Sequence, residues 1–292
     1  MLTGIKMAFV GGDARQLEII QHAIELDATA VLIGFDEWNF ESAYSIRSDL
    51  TVDVLKDIDA LVLPVAGCDD QGMISAHYST DEIRLTEEHF AALPRQCQVF
   101  TGIARNWLTD MCKKYGLRLI KLMELDEVAI SNSIPTAEGA IKMAMEHTDI
   151  TIHGSKTVVL GFGRCGVTLA RVAAALGAKV KVGARKDADL ARIYEMGLEP
   201  FHLSEIMKNL QEAEVIFNTI PAPILTAEVL ARVPKTSVII DIASAPGGTD
   251  FRYAEKRGIK AFLAPSLPGI VAPKTAGQII ARSLCRMLWE HA

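Results

Sequence analysis

The chain has 292 residues, half of them apolar, and a formal net charge of −6 at pH 7. That length suits two domains with separate cores. The acidic balance argues against a general nucleic-acid surface, so an anionic ligand must be held by local cations. Cys68, Cys97, Cys112, Cys165 and Cys285 are odd in number, scattered and free of any C-x-x-C pair. They fit reduced thiols in a cytosolic protein better than disulfides or zinc, and no metal site is expected. The start, MLTGIKMAFVGGD, lacks the pattern of a secretion signal, and no run reaches membrane-spanning length. A soluble cytoplasmic protein is expected.

The first half alternates strand and helix patterns. Ile5–Val10 reads as a short buried strand ending at Gly11-Gly12-Asp13, and Ala14–Leu26 follows with helical spacing at Leu17, Ile20, Ala23 and Ile24. Further strands are predicted at Ala30–Phe35, Ala60–Val65, Gln98–Ile103 and Arg118–Met123, with a helix over Ala104–Tyr115. Such alternation implies parallel pairing and right-handed crossovers. Residues 1–132 are therefore expected to form a doubly wound domain, with Cys68–Arg84 a loop over the strand ends. Gly11-Gly12-Asp13 lacks the third glycine of a nucleotide loop. Gly12, Asp13 and Arg15 either face a cleft between domains or, equally, Asp13 caps a helix and Arg15 is solvated.

Residues 133–150 read as a connecting helix. The Ser131–Gly139 stretch, SNSIPTAEG, carries Ser and Thr around Pro135 and marks a helix start. Ser133 and Thr136 could then offer hydroxyls and free N–H groups to a carboxylate, or simply cap the helix.

Residues 151–268 are expected to form the second doubly wound domain. Thr157–Arg185 reads strand, glycine loop, helix, strand, and Gly161-Phe-Gly163-Arg-Cys-Gly166 is a G-x-G-x-x-G behind the apolar run Val158–Leu160. The first glycine permits the tight turn, the second a close pyrophosphate, and the third close helix–strand packing. Gly161, Gly163, Arg164, Cys165 and Gly166 would thus meet the phosphates at a helix N-terminus. Cys165 is most simply a small loop residue. Where an NAD site usually carries an acid, this chain has Arg185-Lys186 and no acid until Asp187. Arg185 can pair with a 2′-phosphate, and Lys186 adds charge, which points to NADP; otherwise both are solvated loop cations.

Later strands are predicted near Leu198–Phe201, Val215–Ile220, Ser237–Ile242 and Ile259–Leu263. Thr219, Ile220, Pro221 and Ala243 fall where a nicotinamide ring would lie. Residues 269–292 contain an amphipathic helix, Thr275–Trp289, expected to return to the first domain. The predicted fold is α/β: two Rossmann-like parallel-sheet domains with an interdomain cleft. Lys274 opens the last helix, where a lysine opposes the dipole; it either meets an anion or is solvated.

GGDARQLEII, NSIPT, HTDITIHGS, GFGR, VGAR, NTIP, PGGTDF, YAEK and LPGIVAPKTAGQI together span nearly the whole chain. On these motifs the chain resembles the family of dipicolinate synthase A-subunits, and its nucleotide half is similar to D-2-hydroxyacid dehydrogenases and S-adenosylhomocysteine hydrolase. The resemblance implies NADP-linked oxidation of dihydrodipicolinate to pyridine-2,6-dicarboxylate in the mother cell of a sporulating bacterium. It also implies that the flavoprotein-like B-subunit of dipicolinate synthase is a partner, and a homo-oligomer is expected.

Oxidising a dihydropyridine dicarboxylate transfers a hydride and releases a proton, and the gain of aromaticity drives it. Two carboxylates need two donor clusters, for which Arg15 with Gly12–Asp13, Ser133–Thr136 and Lys274 are candidates. Asp241 and Glu138 are candidates for the proton, although either could be structural. Two other readings compete. A D-2-hydroxyacid dehydrogenase would need a proton-transferring histidine near Pro268–Val271, where none stands. A non-catalytic NADP sensor would need only the glycine loop.

Overall fold

The computed structural model describes residues 1–290. Two compact units emerge: Met1–Ala129 together with the segment from Ala272, and Ile130–Val271.

The first unit runs β1 (Lys6–Val10), α1 (Ala14–Glu25), β2 (Thr29–Ile33), β3 (Ser45–Arg47), β4 (Ala60–Val62), β5 (Met73–Ile74), β6 (Ile83–Arg84), α2 (Glu87–Ala92), β7 (Gln98–Thr101), α3 (Asn106–Tyr115) and β8 (Arg118–Lys121). Six strands form one parallel sheet in the order β3-β2-β1-β4-β7-β8. The order reverses between β1 and β4, the point at which ligands of such sheets bind. Alternate residues of β1 serve two cores. Met7 and Phe9 join Leu32 and Val62 on one face, while Ala8 and Val10 join Val31 and Leu61 on the other. A strand buried on both faces needs a continuous apolar run, which Met7–Val10 supplies.

Cys68–Arg84 is not a plain loop. It folds back as the β5–β6 antiparallel pair, and the segment between runs against β1's end through a parallel bridge from Gly12 to Ala76. Strands of two residues leave no detectable period, which is why the sequence reads as loop there. The edge strand β3 is likewise not anticipated by the sequence. Its Arg47 donates to the carbonyls of Phe35, Trp38 and Phe40 and so fastens the stretch after β2.

Helix α4 (Asp126–His147) corrects the expectation of a helix starting near Ser133. It begins seven residues earlier, with Asp126 and Glu127 placing negative charge at the positive end of the dipole. Pro135 lies inside it and removes one helical N–H. The helix continues because Ala137, Ala140, Ile141 and Ala144 are buried against Leu169 and Ala173. Tertiary burial overrides the local start signal.

The second unit continues with β9 (Lys156–Leu160), α5 (Arg164–Ala175), β10 (Lys179–Ala184), α6 (Asp187–Glu195), β11 (Glu199–His202), α7 (Ile206–Asn209), β12 (Val215–Asn218), α8 (Ala227–Leu230), β13 (Val238–Asp241), α9 (Phe251–Arg257), β14 (Lys260–Leu263) and α10 (Leu267–Val271). Its parallel sheet has the order β11-β10-β9-β12-β13-β14, the same winding as the first. Both sheets are Rossmann-like.

Helix α11 (Pro273–Trp289) belongs to the first unit and packs on α1. Gly277 makes the approach possible: a Cβ there would stand 2.6 Å from the Arg15 carbonyl oxygen. Gln278 Nε2 donates to Glu18 Oε2 at 3.2 Å across the same contact. No described helix is long and apolar enough to cross a membrane.

Candidate active site

The glycine loop lies between β9 and α5, beside the end of β12, at the point where the strand order reverses. Gly161 has φ +98°, and a Cβ there would collide with Thr219 Oγ1. Only glycine suits such a turn without strain. A Cβ on Gly166 would strike the Gly161 carbonyl, so the third glycine lets α5 close on the loop. Gly163 differs. Its backbone is extended, at φ −86° and ψ −166°, and nothing lies within 4 Å of the place a Cβ would take. That open space, beside the N-terminal turn of α5, is room of the kind a pyrophosphate requires.

A cavity of about 360 Å³ opens there. Seven of the expected cofactor residues line it: Gly161, Gly163, Arg185, Lys186, Thr219, Ile220 and Pro221. Phe162, Ala184, Asp189 and Leu203 complete the wall, and the sequence had not singled them out. Asp189 brings one carboxylate to a rim otherwise marked by two cations. Arg185 and Lys186 are exposed where β10 ends. His202 at the end of β11 steadies the turn: its Nε2–H donates to the Arg185 carbonyl at 3.2 Å while Nδ1 accepts from the Ser204 N–H.

A cavity of about 370 Å³ lies at the opposite, amino edge of this sheet, lined in part by Lys156, Lys181, Glu199 and Glu212. Two of its four lysines are paired there, Lys156 with Glu212 and Lys181 with Glu199, and no glycine loop adjoins it. The cavity at the carboxyl edge is the one that adjoins the glycine loop.

Arg164, Cys165, Gly166 and Ala243 are near the loop or strand ends but do not line that cavity. Burial raises the Cys165 thiol above its ordinary pKa, only partly offset by the charge of Arg164, so it is a poor thiolate at neutral pH. All five cysteines are free. Burial pushes Cys68 up to about 11 and Cys97, Cys112 and Cys285 up to about 12. Among the described residues no group of three or more His, Cys, Asp or Glu could hold a metal ion.

Asp241 proves to be a scaffold residue rather than an accessible base. It is fully buried at the end of β13, where Oδ1 accepts from Ala243 N at 3.1 Å. Oδ2 accepts from Gly248 N at 2.9 Å and Thr249 Oγ1 at 2.7 Å. One carboxylate thereby shapes the turn 243–249. That turn in turn holds the chain after β12, since Gly248 O accepts from Ile224 N and Leu225 N. Asn218 finishes the edge, its side chain bonding both N–H and C=O of Ile220.

Ser133 and Thr136 do not form the expected carboxylate cradle, because both sit mid-helix in α4. Ser133 Oγ is within 2.6 Å of both the Ile130 carbonyl and Thr168 Oγ1, and Thr136 Oγ1 donates to the Asn132 carbonyl. Ser133 thus ties α4 to α5. Glu138 is exposed on α4.

In the first unit, Asp13 caps α1 by accepting from Arg15 N at 3.0 Å. Its carboxylate also takes a forked pair from the Arg15 guanidinium, Nε at 3.0 Å and Nη2 at 2.6 Å. Arg15 is buried, not solvated. Burial pulls the Asp13 pKa upward, but the hydrogen bonds and charge of Arg15 outweigh it and hold the carboxyl below its ordinary value. Gly12, at φ +115°, donates to the Ser75 carbonyl at 2.8 Å. Lys274 is exposed in the first turn of α11.

A doubly wound unit with an open glycine loop, a cavity at its switch point and a shaped turn beyond defines a dinucleotide-dependent oxidoreductase of the dehydrogenase type. Residues 132–291 match the family described as alanine dehydrogenase/PNT, C-terminal domain, and residues 6–123 match the N-terminal domain of the dipicolinate synthase A-subunit. The dipicolinate synthase A-subunit of Bacillus subtilis (strain 168) is 49% identical over 290 residues, 99% of this chain and 98% of that protein. The crystal structure of its Bacillus halodurans counterpart superposes with a TM-score of 0.96 at 52% identity over 99% of both chains. The chain belongs to the family of dipicolinate synthase A-subunits. A D-2-hydroxyacid dehydrogenase from Lactobacillus delbrueckii ssp. bulgaricus, at 14% identity over 98% of this chain and 96% of that one, shares the fold with a TM-score of 0.60.

Proposed function

We propose that this protein oxidises dihydrodipicolinate to dipicolinate with NADP as the hydride acceptor. Full-length membership of the dipicolinate synthase A-subunit family supports the reaction. The observation that carries the cofactor choice is the pair Arg185 and Lys186 on the rim of the glycine-loop cavity, where a 2′-phosphate would need cations. Nicotinamide, when bound, supplies the hydride-accepting carbon. The chain's own residues do the rest. The first turn of α5 and the open face at Gly163 hold the pyrophosphate, and the turn held by Asp241, with Thr219–Pro221, borders the ring.

Arg15, oriented by Asp13 beside Gly12, and Lys274 serve as the carboxylate donors. Glu138 remains the candidate proton acceptor, with Asp241 a positioning residue. Three further elements complete the proposal: partnership with the flavoprotein-like B-subunit, a homo-oligomeric assembly, and a place in the mother cell of a sporulating bacterium.

The test is turnover. Purified protein is mixed with NADP and a freshly made condensation product of aspartate semialdehyde and pyruvate, with and without the B-subunit, and NADPH absorbance is followed. Steady growth of NADPH with matching dipicolinate is expected. A flat trace in both mixtures, with cofactor demonstrably bound, would replace the enzyme by a cofactor sensor.

A further inference from the structure

The carboxyl edge of the first sheet gathers side chains that lie far apart in sequence. The segment after β5 is strapped to the end of β1 by two backbone bonds. Gly12 N donates to the Ser75 carbonyl at 2.8 Å, and His77 N donates to the Gly12 carbonyl at 3.0 Å. Glu37 N donates to the Tyr78 carbonyl at 2.9 Å, which fixes the next residue as well. The strap occupies the space that a dinucleotide would need over an open loop: a Cβ on Gly11 would already stand 2.8 Å from Ile74 Cγ2.

Three donors point to the chemistry of this edge. Arg15 gives Nε and Nη2 to Asp13, while Nη1 has no acceptor among the described residues. A guanidinium is a rigid fork, so locking one edge on Asp13 orients the other edge, Nη1 with Nη2, for a second carboxylate. His77 is exposed, and among the described residues no hydrogen bond or ion pair engages its ring. Its charge reaches Asp13 and helps keep that carboxyl ionised. Tyr78 is half-buried, its ring stacked on Phe35 with centroids 6.5 Å apart. Burial, and then the negative charge of Asp13, raise the phenol's pKa, so it stays an O–H donor.

We propose that His77 and Tyr78 join the free edge of Arg15 in a carboxylate-binding site at the end of β1. Charge explains why Arg15 alone is insufficient. Asp13 cancels it, so an arriving carboxylate needs the further donors that His77 and Tyr78 bring. That the ligand is a pyridine dicarboxylate rests on the function proposed above; the site itself does not.

Titration calorimetry of the full chain with NADP present tests this, using dipicolinate, pyridine-2-carboxylate and succinate as probes. His77→Ala should weaken whichever carboxylates the wild type binds by about tenfold, the scale of a lost charge-assisted hydrogen bond. Tyr78→Phe keeps the ring stack and should cost about fivefold. Affinity for NADP should not change in either. Wild-type carboxylate affinities in both variants, or no carboxylate bound by the wild type, would overturn the site. Binding of succinate but not dipicolinate, still dependent on His77, would uphold the site and remove the dipicolinate reading instead.

Discussion

Thr249 Oγ1 donates to Asp241 Oδ2 at 2.7 Å, and the same buried oxygen takes the Gly248 N–H. Asp241→Asn puts an amide N–H₂ against at least one of these donors. Hydrogen bonds to a charged group are worth about 1.5–3 kcal/mol, and a buried donor left unmet adds to the cost. Thermal or denaturant unfolding should show a loss of about 3 kcal/mol. Affinity for NADP should fall, while 2′-phospho-ADP, which lacks the nicotinamide, should bind as to wild type. An equal loss for both ligands would mean that Asp241 supports the whole sheet edge rather than the turn beside the ring.

The Asp13–Arg15 pair makes a pH-dependent contribution to stability. Because the folded-state pKa of Asp13 lies below the ordinary 3.8, the pair stabilises the protein above that value. The contribution is lost as pH falls through the folded pKa. Melting temperature should therefore drop on acidification below about pH 4 more steeply in wild type than in Asp13→Asn. Parallel curves for the two proteins would show that the pair adds nothing to folding.

Gly277 sits where α11 crosses α1, with the Arg15 carbonyl and Glu18 Cβ closer than a side chain permits. Gly277→Val should push the helices apart and destabilise the first unit by about 1–3 kcal/mol. In a unit of this size each kcal/mol lowers the melting temperature by roughly 2–4 °C. Cofactor affinity should survive, because the glycine loop belongs to the other unit.

Long strands and the glycine loop were legible in the sequence because their signals are local. Val158–Leu160 and Val215–Phe217 are unbroken apolar runs, and the spacing of Gly161, Gly163 and Gly166 states its own geometry. Arg185 was found by its distance from that loop, and it does line the cavity. Elements decided by distant contacts were missed. The start signal at Ser133–Pro135 lost to burial of the α4 face, and β5 and β6 are too short to show a period. Asp241 is a residue type suited to proton transfer, and only the fold reveals that its oxygens are engaged by Ala243, Gly248 and Thr249. Nothing in the sequence marks His77 and Tyr78, since their neighbour Asp13 is some sixty residues away in the chain.

Everything proposed for the chemistry depends on the cavity between Gly163 and Arg185 being the NADP site. Dissociation constants for NADP and NAD, measured by titration on wild type, Gly163→Val and Arg185→Asp, address it most directly. Gly163→Val should fold normally, because its backbone is extended and its surroundings open, yet bind neither dinucleotide. Arg185→Asp should lose NADP affinity by roughly ten- to a hundredfold, from about 1.5–3 kcal/mol of charge-assisted pairing, and gain preference for NAD. NADP bound by Arg185→Asp as tightly as by wild type, or by Gly163→Val at all comparably, would contradict the assignment.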